Sequence, residues 1–281
     1  MSLTDAQWAR IEPLLPDRTP GRGGRWRDHR QVIDAIAFKY RTGTPWMDLP
    51  ERFGSWKGAH NRLRMWAADG TWEKAFPALL ARADAEGDLD WVIAIDSIVV
   101  RAHQHAAGAR QKGTGAGEPH DHALGRSRGG LTTKIHLVAQ SRCRPLAFVI
   151  TPGQAGDAPA FPEIMARLRM PRPIGRPRTT TEAALADKAY SSRAIRSHLR
   201  QRGIRAVIPQ PSDQLANRKR LGNHGGQPPS FDREAYKQRN TVERCINKLK
   251  QWRGLATRYD KTATSYLAAL HLAAIFIWSA T

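Results

Sequence analysis

The sequence predicts a mixed α/β domain that is preceded by a small α-helical domain. Residues 91–95 and 183–186 are short apolar runs, which are typical of buried strands. Residues 132–150 contain two strand patterns with a turn between them, as in a hairpin. In the earlier part of the chain the apolar residues recur at helical spacing instead. We therefore divide the chain into a helical domain, residues 1–88, and a mixed-sheet domain, residues 89–281.

The chain carries a large positive charge that is unevenly distributed. Its 281 residues include 45 Lys and Arg against 25 Asp and Glu, a formal net charge of +20. Residues 1–90 hold 14 basic and 13 acidic side chains, so residues 91–281 hold the other 31 basic and 12 acidic ones. Such an excess predicts a polyanionic partner, either nucleic acid or an anionic membrane.

Cysteine content and hydropathy favour a cytoplasmic protein. Cys143 and Cys245 are the two cysteines and do not form a CxxC pair, so neither a disulfide framework nor a thiolate zinc site is predicted. The start of the chain lacks the basic and apolar regions of a signal peptide. The most apolar run, residues 266–278, is shorter than the roughly 18 apolar residues of a membrane span and contains His271. We expect it to be a buried core helix.

Four short helices are predicted in the first domain. Each begins near a residue type that caps helices or ends near a glycine. The predicted helices are one capped by Thr4 and reaching about Leu15, one from about Arg30 to Arg41, one capped by Ser55 and ending near Gly70, and one capped by Thr71 and ending near Ala83.

The third of these helices exposes residue types that contact phosphates and base edges. They are Lys57, His60, Asn61 and Arg64. A helix-turn-helix that reads DNA with this helix is one interpretation. The alternative is an ordinary helical bundle with a solvated polar face, and the near-neutral charge of residues 1–90 favours that alternative.

Two aspartates follow the two short apolar runs. Asp96 comes directly after residues 91–95 and is expected to end that strand. Asp187 comes directly after residues 183–186 and is followed by Lys188. An ionisable side chain at the end of a buried strand is costly unless it is paired or binds a metal. A functional role is therefore favoured over a structural one.

Histidines cluster between the first aspartate and the hairpin. They are His103, His105, His120 and His122. A metal site or a His-x-His nuclease motif is conceivable, but no strand pattern frames these residues. We expect them to be exposed loop residues.

The segments that follow the hairpin contain one more candidate carboxylate. Asp157 precedes an apolar helical pattern and is expected to cap that helix, although a carboxylate close to a cleft could also assist there. Beyond the second aspartate, the patterns predict a helix at residues 192–202, a strand at 206–209 and a polar loop at 211–232.

The stretch from Tyr236 to Lys250 is predicted to form one amphipathic helix. Its polar face, within roughly 80° on a helical wheel, consists of Tyr236, Arg239, Glu243, Asn247 and Lys250. Apolar side chains fill the adjoining sector, as in a helix that rests on a core. A solvated helix with an ordinary Arg239–Glu243 pair at i,i+4 would show the same pattern.

The spacing Tyr, two residues, Arg, three residues, Glu, six residues, Lys is similar to the pattern around the catalytic glutamate of DDE transposases of bacterial insertion sequences. Other stretches resemble the insertion-sequence family numbered five: AIDSIVVRAHQHAAGA at 94–109, SRGGLTTKIHLV at 127–138, ALADKAYSS at 184–192, and the N-terminal LTDAQW and DGTWE. The resemblance covers nearly the whole chain and implies an RNase H-like catalytic domain.

This resemblance implies that Asp96, Asp187 and Glu243 are catalytic residues and metal ligands. Mg²⁺ takes oxygen ligands, and two such ions, for which Mn²⁺ would substitute, can activate an attacking oxygen and stabilise a leaving one. Water would first free a 3′ hydroxyl at the end of the element. That hydroxyl would then join to target DNA without a covalent protein intermediate.

The same resemblance implies the DNA contacts and partners. Arg239 and Lys250 would hold phosphates, Tyr236 would position the DNA end, and Lys188 is a further candidate. The partner would be double-stranded DNA, namely the terminal inverted repeats and the target, in the bacterial cytoplasm and on the nucleoid. Because two ends must be paired, a homodimer or larger oligomer is expected in the DNA complex.

Two other functions stay open at this point. An RNase H-like nuclease would cut DNA without joining it. A transposase-derived regulator would bind DNA without catalysis, but the presence of all three carboxylates counts against that interpretation.

Overall fold

A computed structural model describes residues 2–19, 26–108, 122–172 and 174–280 of the chain. Its helices are α1 (Asp5–Ile11), α2 (His29–Thr42), α3 (Trp56–Ala68), α4 (Thr71–Ala85), α5 (Gln104–Ala107), α6 (Asp157–Arg167), α7 (Arg193–Gln201), α8 (Ser212–Leu221), α9 (Arg233–Lys237), α10 (Asn240–Lys250), α11 (Arg253–Ala256) and α12 (Ala263–Ser279). Its strands are β1 (Val92–Ala102), β2 (Gly125–Ser127), β3 (Gly130–Gln140), β4 (Arg144–Pro152), β5 (Ala183–Ala186), β6 (Arg205–Val207) and β7 (Thr257–Arg258).

The strands form one mixed sheet in which β1 is central. On one side β1 pairs antiparallel with β3, which also pairs antiparallel with β2 and β4. On the other side β1 pairs parallel with β5, and β5 pairs parallel with β6. Parallel strands need a crossover, and α6 supplies it between the hairpin and β5. The predicted fold class, an RNase H-like mixed-sheet domain after a helical segment, is confirmed.

The helix α12 lies at the centre of the apolar core. It packs against α3 and α4 on one side and against β4 on another. Because it is enclosed by other elements, it is apolar around nearly its whole circumference, and His271 is buried within it. The prediction of a buried core helix at residues 266–278 is confirmed. Among the described residues, no helix combines the length and apolar character needed to cross a membrane.

The N-terminal helices share one apolar core with the sheet. The closest approach is between α2 and α11, where a Cβ added to Gly254 would lie 3.0 Å from a ring carbon of Tyr40. The hydroxyl of Tyr40 donates a hydrogen bond of 2.8 Å to Asp260. The division at residue 88 stays a prediction.

The expectation that Asp96 ends its strand is wrong. The parallel pairing of β1 with β5 does end just before it, at Ile95 opposite Ala186. On its other edge, however, β1 keeps pairing with β3 as far as Arg101. A strand continues while one neighbour still satisfies its backbone, so β1 runs past Asp96 to Ala102.

Two other segments also differ from the prediction. The predicted polar loop at residues 211–232 contains α8 and a 3₁₀ turn at Gly222–Gly225. A highly polar helix shows no apolar stripe, so periodicity does not reveal it. The single predicted helix from Tyr236 to Lys250 is two helices, because the chain turns at residues 238–239 between α9 and α10.

Helix starts near the N-terminus agree with the sequence only in part. Thr4 caps α1 in a capping box, as predicted. Ser55 precedes α3, but its side chain makes no capping hydrogen bond. The cap of α4 is Gly70 rather than Thr71, whose hydroxyl instead donates to Asp69 at 2.6 Å.

Candidate active site

Asp96 and Asp187 lie side by side where the parallel pairing of β1 and β5 ends. The preceding residues, Ile95 and Ala186, are register partners. Asp187 follows β5 and caps a short 3₁₀ turn, because its Oδ1 accepts a hydrogen bond of 2.8 Å from the amide of Ala189. The two aspartates, 91 positions apart in the chain, are thus held at one place by strand register.

Glu243 is brought to the same place by α10, which packs on β1 and β3. The face of α10 that rests on the sheet consists of four buried side chains, Val242, Cys245, Ile246 and Leu249, as the sequence predicted. Glu243 lies on the other face, and about half of its side chain is exposed. Helical amphipathicity therefore directs this carboxylate away from the core.

A single guanidinium joins two of the three carboxylates. Arg239 precedes α10, and its Nη2 lies 2.8 Å from Asp96 Oδ2 while its Nη1 lies 2.7 Å from Glu243 Oε1. The side chains of Arg239 and Asp96 are only 17% and 19% exposed, so this pair is shielded from solvent. Burial favours a lower pKa for Arg239, but the charges of Asp96 and Glu243 hold the pKa above its ordinary value.

The electrostatics of Asp96 reflect a crowded acidic site. Burial raises its pKa above the ordinary value, and the charges of Asp187 and Glu243 act in the same direction. The Ser97 amide and Arg239 only partly offset these effects. Mutually repelling carboxylates favour a bound cation, because a cation relieves the repulsion.

Tyr236 belongs to the same cluster. Burial raises the pKa of its phenol, and the charges of Asp187, Asp96 and Glu243 contribute to that shift, whereas Arg239 opposes it. Its ring also packs against Phe231, with centroids 5.2 Å apart. The phenol of Tyr236 is therefore within electrostatic range of all three acids.

The donor set fits a hard divalent cation in its chemistry, since it consists of carboxylate oxygens. In the arrangement described, no three His, Cys, Asp or Glu side chains among the described residues lie close enough to hold a metal ion as they stand. Arg239 bridges Asp96 and Glu243 in this arrangement. The guanidinium thus supplies the positive charge that a cation would otherwise supply.

Behind Asp96 lies a polar network that the sequence analysis did not find. Asp157 Oδ1 accepts a hydrogen bond of 2.7 Å from the hydroxyl of Ser97 and one of 2.9 Å from Nζ of Lys134. The amide of Ser97 in turn donates to Asp96 Oδ1 at 2.8 Å. The hydrogen bonds from Ser97 and Lys134 hold the pKa of Asp157 below its usual range, although burial acts in the opposite direction.

The expectation that Asp157 caps a helix is therefore wrong. Gly156 is the cap residue of α6, and Asp157 is the first helical residue, with its carboxylate turned to Ser97 and Lys134. One signal in the sequence pointed this way: a lysine inside an otherwise apolar strand such as β3 needs a buried partner.

The structure places the predicted DNA-contacting residues in two separate regions. Lys188 is exposed in the 3₁₀ turn after Asp187, and Lys250 is exposed at the end of α10. The other group, Lys57, Asn61 and Arg64, lies exposed on α3, which packs against α2, α4 and α12. His60 is less exposed, since its ring packs on Trp46 with centroids 5.1 Å apart.

The clustered histidines take no part in this site. His103 caps the short helix α5 by accepting from the amide of His105, which is exposed. His122 is partly buried rather than exposed, so the expectation of an exposed residue is wrong there. His120 and Asp121 lie outside the described residues.

Comparison with known proteins identifies the family. A model described as "Transposase DDE domain" matches residues 87–278. The chain belongs to the DDE transposase family. A second model, described as "Putative transposase of IS4/5 family", matches residues 3–76. The resemblance stated from the sequence is therefore confirmed.

Curated relatives of this DDE transposase are similar to parts of it. A "Putative transposase for insertion sequence element IS6501" of Brucella ovis is 32% identical over 148 residues, which are 53% of this chain and 98% of that protein. The "Insertion element IS402 uncharacterized 16.2 kDa protein" of Burkholderia cepacia is 37% identical over 117 residues, 39% of this chain and 77% of that protein.

A solved structure, "Crystal structure of the Mos1 Strand Transfer Complex", matches 86% of this chain and 80% of that one at 14% identity, with a TM-score of 0.27. The family assignment does not depend on this distant likeness. As a member of the DDE family, the protein is a DNA transposase and an enzyme that uses divalent metal. A DNA-binding regulator without catalysis is not favoured.

Proposed function

We propose that Asp96, Asp187 and Glu243 are the catalytic carboxylates of this transposase and hold two Mg²⁺ ions, for which Mn²⁺ substitutes. The observation that supports this most strongly is the convergence of the three acids. The register of β1 and β5 sets Asp96 beside Asp187, and one guanidinium links Asp96 to Glu243. Carboxylates from three separate elements meet at one point although their mutual repulsion is costly.

The proposed reaction has two steps at phosphorus. Water cleaves the DNA at the terminal inverted repeat and frees a 3′ hydroxyl, which then attacks target DNA by transesterification. When bound, paired divalent ions would polarise the attacking and leaving oxygens. Asp96 is held for ligation by the Ser97 amide, and Asp187 by the Ala189 amide.

Four cations and polar groups near the acids are proposed to contact DNA. Arg239 and Lys250 would hold phosphates beside the metals, Tyr236 would position the DNA end, and Lys188 would contact the strand that passes Asp187. In the N-terminal segment, the exposed face of α3 with Lys57, Asn61 and Arg64 would contact the terminal repeat. Cationic and amide side chains on one exposed helix face suit both phosphates and base edges.

The assembly is proposed to be a homodimer or larger oligomer on DNA, because two element ends have to be brought together before joining. Its partners would be the terminal inverted repeats and the target duplex. We propose that it acts in the bacterial cytoplasm, on DNA of the nucleoid. The excess of basic side chains in residues 91–281 supports DNA as the partner.

The experiment is a cleavage and joining assay on an oligonucleotide duplex that carries the element's own terminal repeat. Mg²⁺, Mn²⁺ and EDTA are compared for the wild-type protein and for the variants Glu243→Gln and Asp187→Ala. We expect metal-dependent nicking at the repeat boundary and joined products from the wild type. Each variant should lose at least about a hundred-fold in rate, as is typical when one group that stabilises transition-state charge is removed.

A matched control removes a carboxylate that is not in the cluster. Glu234 lies on α9 and pairs with Lys237, so Glu234→Gln should cleave like the wild type. Near-normal cleavage by Asp187→Ala would refute the assignment of the acids. Nicking without joined products, even from a supplied 3′ hydroxyl end, would favour the nuclease interpretation instead.

A further inference from the structure

A cavity of about 630 Å³ lies between α7 and α8 and is lined by four arginines. Three of them, Arg193, Arg196 and Arg200, come from α7 at positions i, i+3 and i+7, which share one helix face. The fourth, Arg218, comes from α8. We refer to this space, defined by those four residues, as the arginine cavity.

The positive charge of the arginine cavity is not neutralised by acids. Among the described residues that line it there is no carboxylate. None of the four arginines forms an ion pair with any described carboxylate. Burial lowers the pKa of Arg196, and the nearby charge of Arg218 lowers it further. Clustered cations of this kind create a strong positive potential in a concave site.

Backbone contacts hold two of the arginines in place. Arg196 donates to the carbonyl of Ile208 at 2.8 Å, and Arg218 donates to the carbonyls of Gly226 at 3.0 Å and Gln227 at 2.7 Å. These bonds use only part of each guanidinium, which has five N–H donors. Arg193 and Arg200 are exposed at the cavity and extend the same face of α7. The cavity is therefore built before any anion arrives.

The arginine cavity adjoins the catalytic edge of the sheet. Ser191 lines it and follows the 3₁₀ turn Lys188–Tyr190, which Asp187 begins. Gln214 of α8 donates a hydrogen bond of 2.9 Å to the hydroxyl of Ser191, which ties the second wall of the cavity to that turn. A DNA strand that passes Asp187 and crosses this turn would meet the arginines.

We propose that the arginine cavity binds phosphate groups of the DNA strand next to the bond that is cleaved. The proposal rests on the proposed function, since that function supplies the DNA and the cleaved bond. Guanidinium groups match phosphate oxygens in bidentate geometry. Amide side chains such as Gln214 can also donate to the sugar and phosphate oxygens. A cavity this large is not filled by one phosphate, so it suits a stretch of phosphodiester backbone.

The test measures DNA binding without cleavage. In a Glu243→Gln background, the double variant Arg193→Gln/Arg200→Gln is compared with the matched control Lys219→Gln/Arg233→Gln. The control removes the same charge from α8 and α9 at exposed residues that do not line the cavity. The probe is a labelled duplex carrying the element's terminal repeat, and affinity is measured over a range of salt concentrations.

We expect the cavity variant to bind more weakly and its log–log salt slope to fall by about 1.8, since each lost phosphate contact on duplex DNA removes about 0.9. The control should keep the wild-type slope. In phosphate-ethylation interference, the cavity variant should lose sensitivity at phosphates beside the repeat boundary. Equal slopes for the two variants, or lost interference only far from the boundary, would overturn the proposal.

The outcome is distinguishable from a failure of the proposed function. If the wild type cleaves with Mg²⁺ while the cavity variant keeps its slope, the arginine cavity is refuted and the catalytic assignment stands. If the slope falls at the boundary phosphates while the wild type cleaves under no metal, the cavity stands and the catalytic assignment fails.

Discussion

The guanidinium of Arg239 lies 2.8 Å from the carboxylate of Asp96, although the two residues are 143 positions apart in the chain. The same guanidinium reaches Glu243, so one cation compensates two of the three proposed metal ligands. A buried or half-buried carboxylate cluster is unstable without such compensation. Arg239 and a divalent cation therefore compete for the same oxygens.

This competition predicts that Arg239→Gln binds divalent metal more tightly when no DNA is present. Removing one positive charge beside Asp96 and Glu243 should strengthen Mn²⁺ binding by roughly ten-fold, which corresponds to about 1.4 kcal/mol. Isothermal titration of the DNA-free protein with Mn²⁺ measures the change. Lys237→Gln, which removes a cation that pairs only with Glu234 among the described residues, should leave the affinity unchanged. Equal Mn²⁺ affinity in Arg239→Gln and the wild type would show that the guanidinium does not compete.

Lys250 is predicted to hold a DNA phosphate. The variant Lys250→Ala, in the Glu243→Gln background, should bind an element-end duplex more weakly, with a salt slope that is smaller by about 0.9. Arg244→Ala is the matched control, because Arg244 is also exposed on α10 but lies about 100° around the helix from Glu243. A slope that stays the same in Lys250→Ala would assign this lysine a structural role only.

Asp157 is predicted to position Asp96 through Ser97. Asp157→Asn keeps the size of the side chain but removes the charge that neutralises Lys134, which is only 13% exposed. We expect a loss of about 1–3 kcal/mol in the free energy of unfolding, as for other hydrogen bonds between charged groups, and slower cleavage with DNA affinity retained. Thermal unfolding, a binding titration and the cleavage assay measure the three quantities.

The variant Ser97→Ala separates the two effects of Asp157. It leaves the Lys134–Asp157 ion pair intact and removes only the hydroxyl that links Asp157 to the strand of Asp96. Slower cleavage in Ser97→Ala with near-normal stability would support a positioning role. Slower cleavage in Asp157→Asn alone would instead reflect its loss of stability.

Asp88 is predicted to make stability depend on pH. Its hydrogen bond from Arg144 is the main cause that holds its pKa below the ordinary 3.8, and Arg142 contributes to the same shift. Because the folded-state pKa is lowered, Asp88 stabilises the fold at pH values above 3.8 and loses this effect as pH falls through the folded-state pKa. Asp88→Asn should therefore cost about 1 kcal/mol near neutral pH, a value kept small by solvent screening.

Melting temperatures from neutral to acidic pH test this dependence. The difference between the wild type and Asp88→Asn should be largest near neutral pH and should shrink below about pH 4. Asp213→Asn, which changes an exposed carboxylate on α8, serves as the control. A difference that persists unchanged at low pH would mean that packing rather than charge at residue 88 is responsible.

Local patterns in the sequence determined several elements and the identity of the candidate acids. The apolar runs before Asp96 and Asp187 predict β-strands because buried parallel strands are apolar on both faces. The amphipathic pattern around Glu243 predicts which side chains of α10 rest on the sheet. Together with the resemblance to DDE transposases, these signals were sufficient to select the three carboxylates.

Only the tertiary structure decided how those elements meet. The extent of β1 beyond Asp96 depends on its pairing with β3, and the turn before α10 places Arg239 between two acids. These features depend on groups that are far apart in the chain, and periodicity reports only on neighbours within a turn or a strand. The Ser97–Asp157–Lys134 network and the arginine cavity arise in the same way. The sequence by itself thus determined which residues carry charge and chemistry, while tertiary packing decided which of them face one another.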